Sequence, residues 1–292
     1  FSFDINLNKP EILTSLLLPK LQIEPGTQLK GAFADENQQL SIDLKSRGLR
    51  YGATVFKGID LNMISGTRQS ELAFNLRQTE LASGYIIDSL ALENFYQNDT
   101  LQYRLTGILR DSIDSRVNLE GFAIQKSNRS FLVGLDSSHF NVGKSDFKIP
   151  NGARFYIDSS RYFIEDFSIT NGSQGVYVNG AISKTSNEVL RVEMQNFSVK
   201  ILNYFLKSDK SKFDGSLEGS LIVTSLLGDP KFVTDLNIDS LSLNKTLLGN
   251  LNLISDYSLR NDTISLNSEL VLGRRKTMQA QGYYQTDSAG SI

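Results

Sequence analysis

The sequence predicts an all-β chain, built as a long, mostly antiparallel, repetitive sheet with two short helices. Three observations predict it. Apolar and polar residues alternate with period two almost throughout, the pattern of strands with one apolar and one polar face. Turn formers separate the alternating runs at Gln97-Asn98-Asp99, Ser127-Asn128-Arg129, Pro150-Asn151-Gly152, Asn171-Gly172-Ser173 and Arg260-Asn261-Asp262. Asn, Asp and Gly tolerate the left-handed backbone of tight hairpins, so neighbouring strands run antiparallel. Finally, one layout occurs twice, in residues 10–78 and 198–284, and such self-similarity marks an array whose units bury their apolar faces together.

Taken in order, the first copy opens with EILTSLLLP, where Ile12, Leu13, Leu16 and Leu17 fall at helical spacing. GTQLKGAF, GLRYGATVFKGIDLNMI and SELAFNLRQ follow as strands, the last placing Leu72, Phe74 and Leu76 opposite Glu71, Asn75 and Arg77. TLQYRLTGILR puts Leu101, Tyr103, Leu105, Gly107 and Leu109 on one side. Thr100, Gln102, Arg104, Thr106 and Arg110 lie on the other, interrupted by Ile108. Residues 110–195 keep the alternation in a more degenerate form, with Val176, Val178 and Ile182 on one face of GVYVNGAIS. The second copy begins at SVKILNYFL, with Ile201, Leu202, Phe205 and Leu206 at helical spacing. DGSLEGSL answers GTQLKGAF, a break follows at Gly228 to Pro230, and FVTDLNI carries Leu236 and Ile238 on one face. DSLSLNKTLLGNLNLI then answers the earlier hairpin. DTISLNSELVLG sets Ile264, Leu266, Leu270 and Leu272 against Thr263, Ser265, Asn267 and Glu269.

A strand with its turn takes about 12 to 15 residues, so 292 residues hold on the order of 20 strands. Open twisted sheets rarely pass about 10 strands without splitting, closing or folding over. Two stacked sheets, a closed barrel and one sheet folded lengthwise into a trough all satisfy that limit. With five prolines, no Ser/Gly linker and no charge block, the chain reads as a single elongated module over 1–292, a piece of a longer chain.

Lys+Arg 30 against Asp+Glu 32 leaves a net charge of −2, which disfavours nucleic acid as a partner. Cysteine is absent, so thiol catalysis, disulfides and thiolate metal sites are excluded. The single histidine, His139, has no GxSxG serine to serve and no HExxH-type partner, so neither a triad nor a zinc site is expected. Neither a Gly-rich phosphate loop nor a singled-out carboxylate pair is present. The chain is read as a non-enzyme with no catalytic residues, no metal and no cofactor. No stretch has the apolar length of a membrane span, and FSFDINLN lacks the basic start and apolar run of a signal peptide. Any export signal or anchor is expected outside these residues.

A recurrent Asp-Ser/Thr step occurs at Ser89, Thr100, Ser112, Ser240, Thr263 and Ser288, each preceded by Asp and followed by an apolar residue or Ala. It resembles the sequence at which one group of Gram-negative bacteria O-glycosylates exported proteins. The plain alternative is a turn Asp followed by a β-prone residue that starts a strand.

The second copy resembles the repetitive part of the TamB family, the translocation and assembly module, and more distantly the AsmA-like group. The resemblance rests on the short amphipathic helix leading into GSLEGSLIV, the GDP break, the LGNLNLISDYSL segment, and NDTISLNSELVLG running on to QAQGYY. The earlier copy, ILTSLLLPKLQIEPGTQLKGAF, keeps the helix and the G-x-x-L-x-G step with one residue inserted, and lacks the break. Residues 110–195 match only in alternation and turn spacing.

The resemblance implies a sheet curled into a U-shaped groove (a β-taco), apolar inside and polar outside. It implies a periplasmic bridge between inner and outer membranes, whose cargo is phospholipid acyl chains or nascent outer-membrane proteins. An Omp85-type barrel would be met through parts of the chain not present here. The groove surface would then comprise Leu72, Phe74, Leu76, Leu101, Tyr103, Leu105, Val176, Val178, Leu236, Ile238, Ile264, Leu266, Leu270 and Leu272. Two other readings stay open: a structural or adhesive β-repeat with a packed, dry core, and a β-rich carbohydrate-active enzyme. Tryptophan, which sugar sites favour for stacking, is absent.

Overall fold

The computed structural model describes residues 1–12, 14, 18, 20–110, 115–185, 187–203, 211–258 and 263–285. Among them, 21 strands hydrogen-bond into one antiparallel sheet. Contacts divide the chain into two compact units, Phe1–Lys126 with Val133–Phe147, and Ser127–Leu132 with Lys148–Ile292.

In the first unit, β1 (Ser2–Leu7) pairs with β3 (Thr27–Ala34), and β2 (Leu21–Ile23) and β3 both pair with β4 (Gln39–Tyr51). A meander continues through β5 (Thr54–Ser65), β6 (Gln69–Glu80), β7 (Ile86–Gln97), β8 (Thr100–Arg110) and β9 (Ser115–Ser127). Strands β4 to β9 run to 11–13 residues, about twice the usual 5–6. Their hairpins are tight because the loop residues accept positive φ. Asn98 and Asp99, at +50° and +59°, form a two-residue type I′ turn within the hairpin loop that the sequence predicts at Gln97-Asn98-Asp99.

Four short strands follow: β10 (Ser130–Leu135), β11 (Ser138–Val142), β12 (Ser145–Ile149) and β13 (Arg154–Ile157). The second meander comprises β14 (Tyr162–Asn171), β15 (Gln174–Ile182), β16 (Val189–Ser198), β17 (Phe213–Thr224), β18 (Lys231–Leu243), β19 (Thr246–Ser258), β20 (Thr263–Leu272) and β21 (Arg275–Gln285). Each pairs antiparallel with the next.

The second meander is bent by bulges that alternation alone does not reveal. Asp166, Asn196 and Ser240 each take positive φ where the register slips in β14, β16 and β18. Two of these bulges are held by an asparagine on the adjacent strand. The Asp166 N–H donates to Asn179 Oδ1 at 2.8 Å, and the Ser240 N–H donates to Asn250 Oδ1 at 2.9 Å. In β17, Gly219 has φ +132°, and a Cβ there would stand 2.0 Å from the Asp235 carbonyl oxygen, so only glycine fits.

The two predicted helices fall largely outside the described residues. Glu11, Ile12 and Thr14 are helical, and a 3₁₀ turn at Val199–Ile201 leads into helical Leu202 and Asn203. That turn packs against β17, with Val199 and Ile201 buried. Asn203 ties down the start of β17 by donating to the Phe213 carbonyl at 2.7 Å and accepting its N–H at 2.8 Å.

Candidate functional site

The registers align the alternating strands into rows, and the rows decide which predicted residues meet. In the first unit one row reads Ile5–Leu29–Leu44–Leu61–Phe74–Leu92–Leu105–Leu119, apolar at all eight strands it crosses. The opposite face carries Asp4–Lys30–Asp43–Asn62–Ala73–Glu93–Arg104–Glu120. Ion pairs lace this polar row: Lys30 to Asp4 at 3.3 Å, and Arg104 to Glu93 at 3.7 Å and to Glu120 at 3.1 Å. His139 extends a neighbouring polar row, opposite Asn118.

Not one residue of the apolar row is fully buried, and Ile5 is 43% exposed. Inward residues of a packed core would be covered. Full burial is reached one row over, where Ile59 faces Leu76 at 9% and 5% exposure. The Ile5–Leu119 part of the apolar face is therefore only partly covered.

The six predicted groove residues of this unit all lie on this face, in four rows. Phe74 and Leu105 share the unbroken row, joined by Leu92. Leu72 and Tyr103 share the next, but Asn94 stands between them. Leu76 lies in the buried row. Leu101 faces Tyr96, beyond a Ser65–Ser70 hydroxyl pair at 2.7 Å. Tyr103 has a further task that its sequence position does not announce. Its ring covers Gly121, where a Cβ would meet the phenol oxygen at 2.8 Å, and its hydroxyl donates to the Gly134 carbonyl at 3.3 Å. Burial, and after it the charge of Asp136, pushes the Tyr103 hydroxyl above the ordinary tyrosine range.

The other eight predicted residues lie in the second unit. Ile238 and Leu270 share the apolar row Phe197–Leu217–Ile238–Leu251–Leu270–Met278. Val176 and Leu236 share a row with Met194 and Leu253 that ends on Ser268 and Ala280. Val178 and Leu266 share one with Val192 and Leu221, broken by Thr234 and Ser255. The Thr234 hydroxyl donates to Ser255 Oγ at 3.1 Å and the Ser255 hydroxyl donates to the Phe232 carbonyl at 3.4 Å, which lets both sit on an apolar face. Ile264 lies between Tyr257 and Tyr284, and Leu272 lies at the β20–β21 hairpin, opposite Arg275. Phe232, Leu253, Ile264, Leu266 and Tyr284 line a cleft of about 590 Å³ over β18 to β21. The sequence singles out Ile264 and Leu266 there and misses Phe232, which alternation places on the same side of β18.

At one end of the first unit the apolar face meets a polar cluster. Lys57 hydrogen-bonds Glu80 and Gln78, Gln78 donates to Asp88 at 3.3 Å, and Arg110 donates to Asp88 at 2.6 Å. The Arg110 guanidinium holds the Asp88 carboxyl below the usual range, helped by Gln78.

The Asp-Ser/Thr positions divide. Thr100 begins β8 directly after the Asp99 turn and is half-buried, and Thr263 begins β20, also half-buried. Ser89 and Ser240 are exposed, and Asp88 and Asp239 lie inside β7 and β18 at bulges rather than in turns. Ser112 and Ser288 lie outside the described residues.

Among the described residues no group of three His, Asp or Glu is placed to hold a metal ion. No helix among them is long and apolar enough to cross a membrane. The molecule is an all-β protein whose long sheet presents an apolar face against a charged one. No protein family, curated protein or solved structure matches the chain.

Proposed function

We propose that the apolar face is a conduit for acyl chains, in a segment of a periplasmic bridge that carries phospholipid between the inner and outer membranes. The observation that carries this reading is the unbroken, half-exposed row from Ile5 to Leu119, backed by a charged outer face. An acyl chain in water costs roughly 0.8 kcal/mol per CH2, so a continuous apolar strip offsets much of that cost, and it needs no acid, base or metal. On this reading the sheet curls into a U-shaped groove, as in the TamB family that the sequence resembles. Unfolded outer-membrane proteins are a second cargo with the same requirement, and an Omp85-type barrel is the outer-membrane partner.

Native mass spectrometry of the purified chain, with lipid extraction of the same sample, tests the reading. Phospholipid that copurifies, and is lost in folded Leu105→Asp and Leu266→Asp proteins, is the expected result. A clean protein mass in a well-folded wild type, after incubation with phospholipid, would replace the conduit with a dry structural repeat.

A further inference from the structure

One end of the second unit combines exposed cations with exposed apolar side chains. The β18–β19 hairpin turns there at Asn244 and Lys245, whose φ values are +52° and +69°. The β20–β21 hairpin turns at the same end, because Asn250 faces Val271 and Leu272 faces Arg275. Lys212, just before β17, belongs to this end too: its N–H donates to Asn244 Oδ1 at 2.9 Å, and its carbonyl accepts the Asn244 N–H at 2.9 Å.

Lys212, Lys245, Arg274 and Arg275 are all exposed, and none has a carboxylate at ion-pair distance among the described residues. Two acids on these strands are already engaged, Asp214 by Lys200 at 2.9 Å and Glu269 by Lys276 at 2.8 Å. The same two hairpins carry Leu247, 53% exposed, and Leu272, 41% exposed. Folding alone favours neither feature. Four exposed cations repel one another, and leucines at hairpin tips forgo burial.

We infer that this sheet end docks on the headgroup layer of an anionic bilayer. Basic side chains lie in the negative surface potential, and each strengthens binding by a factor of about five. Leu247 and Leu272 enter the boundary between headgroups and acyl chains. An acidic protein would pair with the cations but would leave the two leucines without a role.

The test is flotation of the 292-residue chain with vesicles of phosphatidylcholine alone or with added phosphatidylglycerol. Binding to the anionic vesicles only, weakened by salt, is expected. Arg274→Glu with Arg275→Glu lowers it about 25-fold or more. Lys126→Glu with Arg129→Glu, an equal charge change at the exposed β9–β10 turn, leaves it nearly unchanged. Leu247→Asn with Leu272→Asn weakens vesicle binding as well. The inference is overturned if the two charge-reversed proteins lose binding equally, if neither vesicle binds, or if soluble polyglutamate binds as tightly as vesicles whether or not the leucines are present. Leu105→Asp, which tests the conduit, leaves vesicle docking intact, so the two proposals fail separately.

Discussion

Leu105 in β8 and Leu76 in β6 lie on the same face of the first meander and differ in cover. Leu105 is half-buried between Leu92 and Leu119, whereas Leu76 is 5% exposed. Leu105→Asp removes two cross-strand apolar contacts of about 0.2–1 kcal/mol each, and exchanging a good strand former for a poor one adds up to about 1 kcal/mol. The carboxylate stays in water, so the total is about 1–3 kcal/mol, a shift near 1 M in urea midpoint at a slope of about 2 kcal/mol/M. Leu76→Asp instead buries a charge without a partner, which costs several kcal/mol more. Urea unfolding followed by circular dichroism measures both. Equal, large destabilisation by the two substitutions would show that the Leu105 row is covered, and the open-face reading would be wrong.

Gly219→Ala sets a Cβ against a backbone oxygen at 2.0 Å with φ held at +132°, and should destabilise by about 2 kcal/mol or more. Gly282→Ala meets nothing within 4 Å and should be nearly neutral; similar thermal unfolding of the two proteins would refute the close approach. Asp88 has a depressed folded-state pKa, so its contribution is present above the unfolded value of about 3.9 and is lost as pH falls through the folded one. Asp88→Asn should therefore be less stable than wild type at pH 7 and converge with it at about pH 3 or below. A gap of the same size at both pH values would refute the Arg110 pairing as its cause.

Alternation identified the faces because it is local: Leu72, Phe74 and Leu76, or Ile264, Leu266 and Leu270, reach one side of a strand whatever lies beside it. The turn chemistry at Asn98-Asp99 was equally local. What lay beyond the sequence was relational. Whether Phe74 meets Leu92 or Asn94 depends on a register set by two strands together. The bulges at Asp166 and Ser240 use the same residue types as turns, and only Asn179 and Asn250, on neighbouring strands, mark them as bulges. Asp88-Ser89 and Asp239-Ser240 thus look in sequence like the true strand start at Asp99-Thr100, but lie within β7 and β18. Thr234 and Ser255 were invisible as a pair for the same reason, since the Thr234 hydroxyl finds its acceptor, Ser255 Oγ, across β18 and β19.

The dimensions of the unbroken row bear on what it could hold. Eight strands at about 4.8 Å spacing make a strip about 34 Å long, whereas one leaflet of a bilayer's hydrocarbon core is about 15 Å deep. The strip is therefore longer than one acyl chain, as a path along which a chain moves requires and a fixed pocket does not. A monomer seldom leaves a contiguous apolar surface of this extent open to water without a partner for it. On the opposite face, Asp4, Lys30, Asp43, Glu93, Arg104 and Glu120 mix both signs of charge, and this row offers no apolar strip of its own. On the proposed reading, cargo would be directed to one side of the sheet. The polar step at Asn94 shortens the neighbouring row but leaves the Ile5–Leu119 row intact, so on the proposed conduit reading this row is where a single charge should have the largest effect.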